Sequence, residues 1–152
     1  ETSDAEFQEI LQTHVVGAFA LTREAAPAMI SRGKGSILFT SSMAAFFGIP
    51  GVTAYAAAKS ALTGLVHTLA MELSPQGVRV NGIAPGWFET DIVKKAFEGD
   101  PQRAEKILAR TPMKRFGEPR DVGHAAVYLS SEAASFITGT ILKVDGGVSI
   151  GF

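Results

Sequence analysis

Apolar positions recur along the chain with two different periods, and the switches between them predict the architecture. Phe7, Ile10, Leu11, Val15, Ala18, Phe19, Ala25, Met29 and Ile30 follow helical spacing. Ser3 and Glu6 stand at capping-box spacing, which starts this helix near Asp4. Gly33 and Gly35 stop it. Ile37 to Thr40 read as a buried strand, and a loop of small and apolar residues follows over 43–52. The next helix spans 54–73, with Leu62, Leu65, Val66, Leu69 and Leu73 as its apolar stripe, and Pro75 and Gly77 end it. Val78 to Ala84 form a second strand, closed by Pro85 and Gly86. Residues 90–110 read as two short helices divided by Gly99, Asp100 and Pro101, and Thr111-Pro112 breaks that segment. A helix opens near Pro119 and runs to Ser131, with Asp121 in the turn where an acid suits the dipole. A last strand, Thr140 to Val144, leads into Asp145, Gly146 and Gly147.

The order is helix, strand, helix, strand, helical insert, helix, strand. Such alternation predicts an α/β fold with a parallel sheet built by right-handed crossovers. Only three strands are legible, and the first helix has no strand before it. A parallel sheet normally has helices on both faces and protected edges.

Composition narrows the picture. The chain has 152 residues, 46% hydrophobic and 19% charged, which is a globular profile with enough length for one core. A net charge of -1 with scattered basic residues gives no footprint for nucleic acid. The absence of cysteine removes disulfides, thiolate nucleophiles and cysteine-based zinc sites, and fits a reducing compartment such as the cytoplasm. No apolar run is long enough to span a bilayer. No His, Asp and Glu spacing suggests a metal site.

Candidate chemistry concentrates in residues 36–65. A strand pattern ends at Ser41 and Ser42, and the following helix carries Tyr55 and Lys59 four positions apart. Residues at i and i+4 share a helix face, so phenol and ammonium can point into one cleft. A phenol titrates at about 10, and a nearby cation favours its ionised form, which suits acid/base work on an alcohol or a carbonyl. The chain holds only two Tyr and seven Lys, so this spacing alone is about a one-in-ten accident. The context adds weight. Ser42 stands at the end of a strand, where open parallel sheets place their ligand crevices.

The Ser42, Tyr55-x-x-x-Lys59 set, followed by VRVNGIAPGWFET and closed by ITGTILKVDGG, resembles the C-terminal part of a short-chain dehydrogenase/reductase. The resemblance runs from Phe7 to Gly147. It implies a Rossmann-like, doubly wound parallel sheet of which only the second half is present, three strands with flanking helices, spread over residues 1–152. It also implies NAD or NADP as cofactor, a small alcohol or ketone as substrate, and hydride transfer with Tyr55 as acid/base. Lys59 would assist Tyr55 and bond the nicotinamide ribose, and Ser42 would hold the substrate oxygen. Pro85, Gly86, Phe88 and Thr90 would border the nicotinamide, and residues 90–115 would cover the substrate. Members of the family carry a Gly-rich turn and an Asn-Ala-Gly motif upstream of the matching region. Neither occurs here, and the expectation is that the sequence is the second part of a longer enzyme.

His14 departs from the family pattern, which usually has Asn there as the fourth catalytic residue of a proton relay. His can donate, accept and titrate near neutrality, so it can stand in for Asn, or it can be a core histidine beside Leu11 and Ala18. His67 and His124 read as surface or packing residues, Ser41 as a strand-end hydrogen bonder and Asn81 as a structural one. The nearest subfamilies are similar to gluconate 5-dehydrogenases, which points to a sugar acid or polyol derivative, with 3-oxoacyl-carrier-protein reductases as the alternative. Helices 4–32 and 54–73 correspond to those that build a dimer or tetramer bundle in the family. A half-fold acting only as an oligomerisation module is the competing class.

Overall fold

The computed structural model describes residues 2–98 and 100–150, so Gly99 lies outside the described residues. Helix α1, Asp4–Leu11, opens on the capping box: Ser3 Oγ accepts from the Glu6 amide, and the Glu6 carboxylate accepts from the Ser3 amide. The chain then makes one π-helical segment, Gln12–Val16, before α2, Gly17–Ser31. The sequence predicts an uninterrupted α-helix here. The difference is the wide turn, closed by the Gly17 amide donating to the Gln12 carbonyl. Apolar periodicity does not register a single-turn π-bulge.

Strand β1 spans Gly35–Thr40, α3 spans Thr53–Leu73 and β2 spans Val78–Pro85. Gly77 adopts φ +81° between α3 and β2, and a Cβ there would lie 2.1 Å from the Gly33 carbonyl oxygen, so only glycine fits. Two short helices follow, α4 at Asp91–Glu98 and α5 at Pro101–Arg110, then α6 at Pro119–Ser130 and β3 at Ile141–Val144. Asp100 caps α5 by accepting from the Arg103 amide.

The sheet has the order β1-β2-β3 with both pairings parallel. Gly35 to Thr40 stand against Val78 to Ile83, and Gly82 to Pro85 stand against Ile141 to Val144. The two faces of β2 alternate as the pleat requires. Val78 and Val80 pack with Leu62, Val66, Leu69 and Leu73 of α3 and with Ala26 of α2. Arg79 and Asn81 point to the opposite face, where Arg79 donates to the Leu129 carbonyl of α6 and Asn81 to the Ile137 carbonyl. Asn81 also accepts from the Thr140 amide, so its buried amide is a structural clamp between β2 and the entry to β3. Helices thus cover both faces of a parallel sheet, the doubly wound arrangement that the family resemblance implies. Among the described residues no helix is long and apolar enough to cross a membrane.

Candidate active site

The C-terminal ends of β1 and β2 deliver Ser42 and the Pro85-Gly86 rim, where open α/β sheets place their ligand crevices, and helices supply the rest. Ser41 continues the ladder, its amide donating to the Ile83 carbonyl. Its buried hydroxyl donates to the Lys59 carbonyl at 3.1 Å, tying strand to helix. Ser42 caps a short 3-10 turn over Met43–Ala45, its Oγ accepting from the Ala44 amide at 3.1 Å. Among the described residues the Ser42 O–H has no acceptor of its own, so it can donate to a ligand.

Tyr55 lies in the first turn of α3 and Lys59 one turn later. The Lys59 ammonium is 5.5 Å from the centre of the Tyr55 ring and donates to the Thr40 carbonyl at 2.8 Å. Lys59 is only 7% exposed, and burial holds its pKa below the ordinary lysine value. His14, carried by the π turn, meets Tyr55 edge-on, with ring centres 5.6 Å apart and planes at 86°. Burial first, and the Lys59 charge second, lower the His14 pKa. The neutral imidazole is therefore favoured, with one nitrogen to donate and one to accept.

Two openings take up the candidate residues. One is a cleft of about 310 Å³ that takes Ser42, Tyr55, Gly86, Trp87, Phe88 and Thr90 into its wall. The other, about 770 Å³, runs between α2 and β1 and is lined by His14, Thr40 and Lys59 among others. Lys59 and His14 thus approach the Tyr55 ring and line one space, while Ser42 and Tyr55 line the other.

The remaining candidates occupy the rim. Gly86 donates its amide to the Val144 carbonyl, and a Cβ on it would lie 2.6 Å from Asp145 Cα. The glycine is demanded by the neighbouring backbone. Phe88 is buried and bridges to Gly117. Thr90 starts α4, its Oγ1 accepting from the Val93 amide at 3.3 Å. Pro85 pairs with Val144 at the end of β2 and is not among the residues lining the cleft. His67 and His124 are exposed, as expected. Among the described residues no group of three or more His, Cys, Asp or Glu could hold a metal ion. Sequence reasoning missed the Thr40 carbonyl as the acceptor for Lys59, because a backbone acceptor carries no side-chain signal. It also missed Arg103, which lines the cleft from α5.

Comparison with known proteins shows the family. A short-chain dehydrogenase/reductase family model described as enoyl-(acyl carrier protein) reductase matches residues 1–149. The chain belongs to the short-chain dehydrogenase/reductase family. It is 36% identical to a 3-oxoacyl-acyl-carrier-protein reductase of Thermotoga maritima, over 97% of this chain and 58% of that protein. It is 41% identical to a 2-dehydro-3-deoxy-D-gluconate 5-dehydrogenase of Pseudoalteromonas atlantica, again over 97% of this chain and 58% of the relative. Among solved structures, a protein of Beutenbergia cavernae described as an NAD(P)-dependent gluconate 5-dehydrogenase, with bound NADP, superposes with a TM-score of 0.92 at 40% identity. That match covers 97% of this chain and 59% of the other. The chain therefore spans somewhat more than half the length of these short-chain dehydrogenase/reductase relatives.

Proposed function

We propose that this chain serves an NAD(P)-dependent oxidoreductase that interconverts a secondary alcohol and a ketone. One observation carries the reading: the Tyr55 ring is approached by both Lys59 and His14 while Tyr55 shares the wall of a cleft with Ser42. The nicotinamide cofactor, when bound, supplies or accepts the hydride. The donor set fits such a group, since Gly86, Phe88 and Thr90 flank Tyr55 in the cleft and Lys59 opens onto the adjoining cavity. Pro85 supports that rim from the strand end.

In the direction of reduction, Tyr55 gives its phenolic proton to the carbonyl oxygen, and Ser42 donates a hydrogen bond to the same oxygen as charge develops. The Lys59 ammonium stabilises the negative charge left on the phenol. Lys59 can then return a proton to the phenolate, and His14, edge-on to the ring, can take a proton from solvent on one nitrogen and release one from the other to the lysine amine so formed, at the position where the family resemblance expects Asn. Residues 90–115 cover the substrate and exclude water. A sugar acid or polyol derivative is the substrate class supported by similarity to the gluconate-type relatives, and similarity to the 3-oxoacyl-acyl-carrier-protein reductase supports an acyl-thioester alternative. Exposed Val16, Phe19 and Leu21 on the first helical layer and Met71 on α3 suit burial against another copy, as a homodimer or homotetramer.

The test uses the whole protein expressed from its gene. NADH and NADPH fluorescence titrations should show binding to one or both. Tyr55→Phe should lower turnover about 100-fold or more while cofactor affinity stays within about threefold. Retention of a tenth of the rate would remove Tyr55 from the role. No binding of either cofactor by the folded protein would favour an assembly module instead.

A further inference from the structure

Beside the cleft that holds Ser42 and Tyr55 lies a larger opening of about 750 Å³. One wall is apolar, with Phe47, Ile49, Pro50 and Val148, and the other is α5. Ile49, Trp87 and Arg103 line both openings, so the two spaces join at Arg103. Helix α5 turns Arg103, Lys106 and Arg110 into the larger space. These positions share one helix face.

The three cations are exposed, and no contact within the described fold neutralises them. No acidic residue is among the described residues lining either opening. Among the described residues, none of the three has a carboxylate in ion-pair contact. Arg110, in the last turn of α5, suits the helix dipole, whereas Arg103, in the first turn, opposes it. Arg103 is nevertheless steered to the junction, its guanidinium carbon 6.0 Å from the centre of the Trp87 ring. A planar guanidinium on an aromatic face, beside an apolar wall that thins the water, is a receptor for a carboxylate.

We infer that Arg103 selects the substrate by charge: it holds an organic carboxylate whose reacting carbon lies at Tyr55. The inference rests on the oxidoreductase reading and deepens it. Lys106 and Arg110 stand about 4.5 and about 10 Å further along the helix axis, at 1.5 Å per residue, and extend the same receptor to longer acids. A short hydroxy acid ends at Arg103, while an acid with a long apolar body passes along the groove towards Arg110. Arg103 is thus a specificity-determining residue.

The test compares acids with neutral partners of equal length: D-gluconate with D-sorbitol, and 12-hydroxydodecanoate with 1,12-dodecanediol. Binding to the whole protein is measured by ligand-observed NMR, with and without saturating NADP. At least one acid should bind about tenfold or more tightly than its neutral partner, the size of discrimination a charged site affords. Arg103→Met should erase that preference and leave the neutral partner and NADPH binding within about twofold. Preference for gluconate alone assigns a short acid. Preference for the long acid, lowered also by Arg110→Met, assigns an apolar-bodied one. The inference is overturned if neither acid outbinds its partner, including the case of no binding at all, or if the preference survives Arg103→Met. Loss of NADPH binding in the wild type defeats the oxidoreductase reading separately, because acid preference is also read without cofactor.

Discussion

Lys59 donates its ammonium to the carbonyl oxygen of Thr40 at 2.8 Å, and this one bond fixes the charge at the junction of β1 and α3. The Lys59 carbonyl in turn accepts from Ser41, so strand end and helix hold each other through two contacts. The ammonium is nearly buried and has the Tyr55 ring 5.5 Å away. Such a position is costly for a cation, and the proposed proton transfer at Tyr55 would give it a use.

Lys59→Met separates those two roles. Turnover of the whole protein should drop about 100-fold or more, since the proton at Tyr55 loses its supporting charge. The unfolding free energy should be unchanged or rise by up to about 1 kcal/mol, because a methionine of similar length needs no hydration. The sign follows from the lowered pKa. The unfolded state binds the proton more tightly, so wild-type stability increases as pH rises through the window just below the ordinary lysine value. The variant should lack that increase. Urea denaturation at pH 7 and pH 10, paired with a turnover assay, reads both effects. A large loss of stability with activity retained would contradict them.

His14 predicts an acid-side effect. Its pKa is lowered, so the unfolded chain takes up a proton first as pH falls through 6.5. Stability is therefore highest above that value and declines below it, until the folded-state imidazole also protonates. His14→Asn should flatten this decline, seen as a smaller fall in the urea midpoint between pH 7.5 and pH 5.5. If His14 also relays protons, the acid limb of the turnover profile should shift in the same variant. An unchanged profile with a flattened stability curve would leave His14 a packing residue.

Gly86 is held by contact rather than by a turn. A Cβ there would meet Asp145 Cα at 2.6 Å, and both residues stand one position past the paired strand ends Pro85 and Val144. Gly86→Ala should cost about 1–3 kcal/mol of stability, the range for overpacking. It should also move the rim shared with Tyr55, so turnover should fall more than cofactor affinity. Thermal unfolding together with steady-state kinetics checks the pair of outcomes, and a stable variant with full activity would show that the strand ends can part without consequence.

The sequence by itself determined the parts that depend on local pattern. Helical spacing from Phe7 to Ile30, the stripe from Leu62 to Leu73 and the punctuation at Gly77 and Pro85-Gly86 were enough to place the elements and their alternation. Alternation of that kind leaves few topologies, so a three-stranded parallel sheet was legible as well, whereas its order β1-β2-β3 was not. The Tyr55 and Lys59 pair was readable because both lie on one helix, where four residues bring side chains to the same face. Tertiary structure decided what lies across elements. The π turn that aims His14 at Tyr55 leaves no mark on hydropathy, because one widened turn changes the register without changing residue type. The acceptor for Lys59 is a backbone carbonyl nineteen residues earlier in the chain, available only where β1 happens to end. Arg103 sits near neither Ser42 nor Tyr55 in the chain, and reaches their cleft only because α5 folds back over the ends of the strands. Side-chain chemistry is written locally, whereas distance between chain segments is set by packing, and the site needs both.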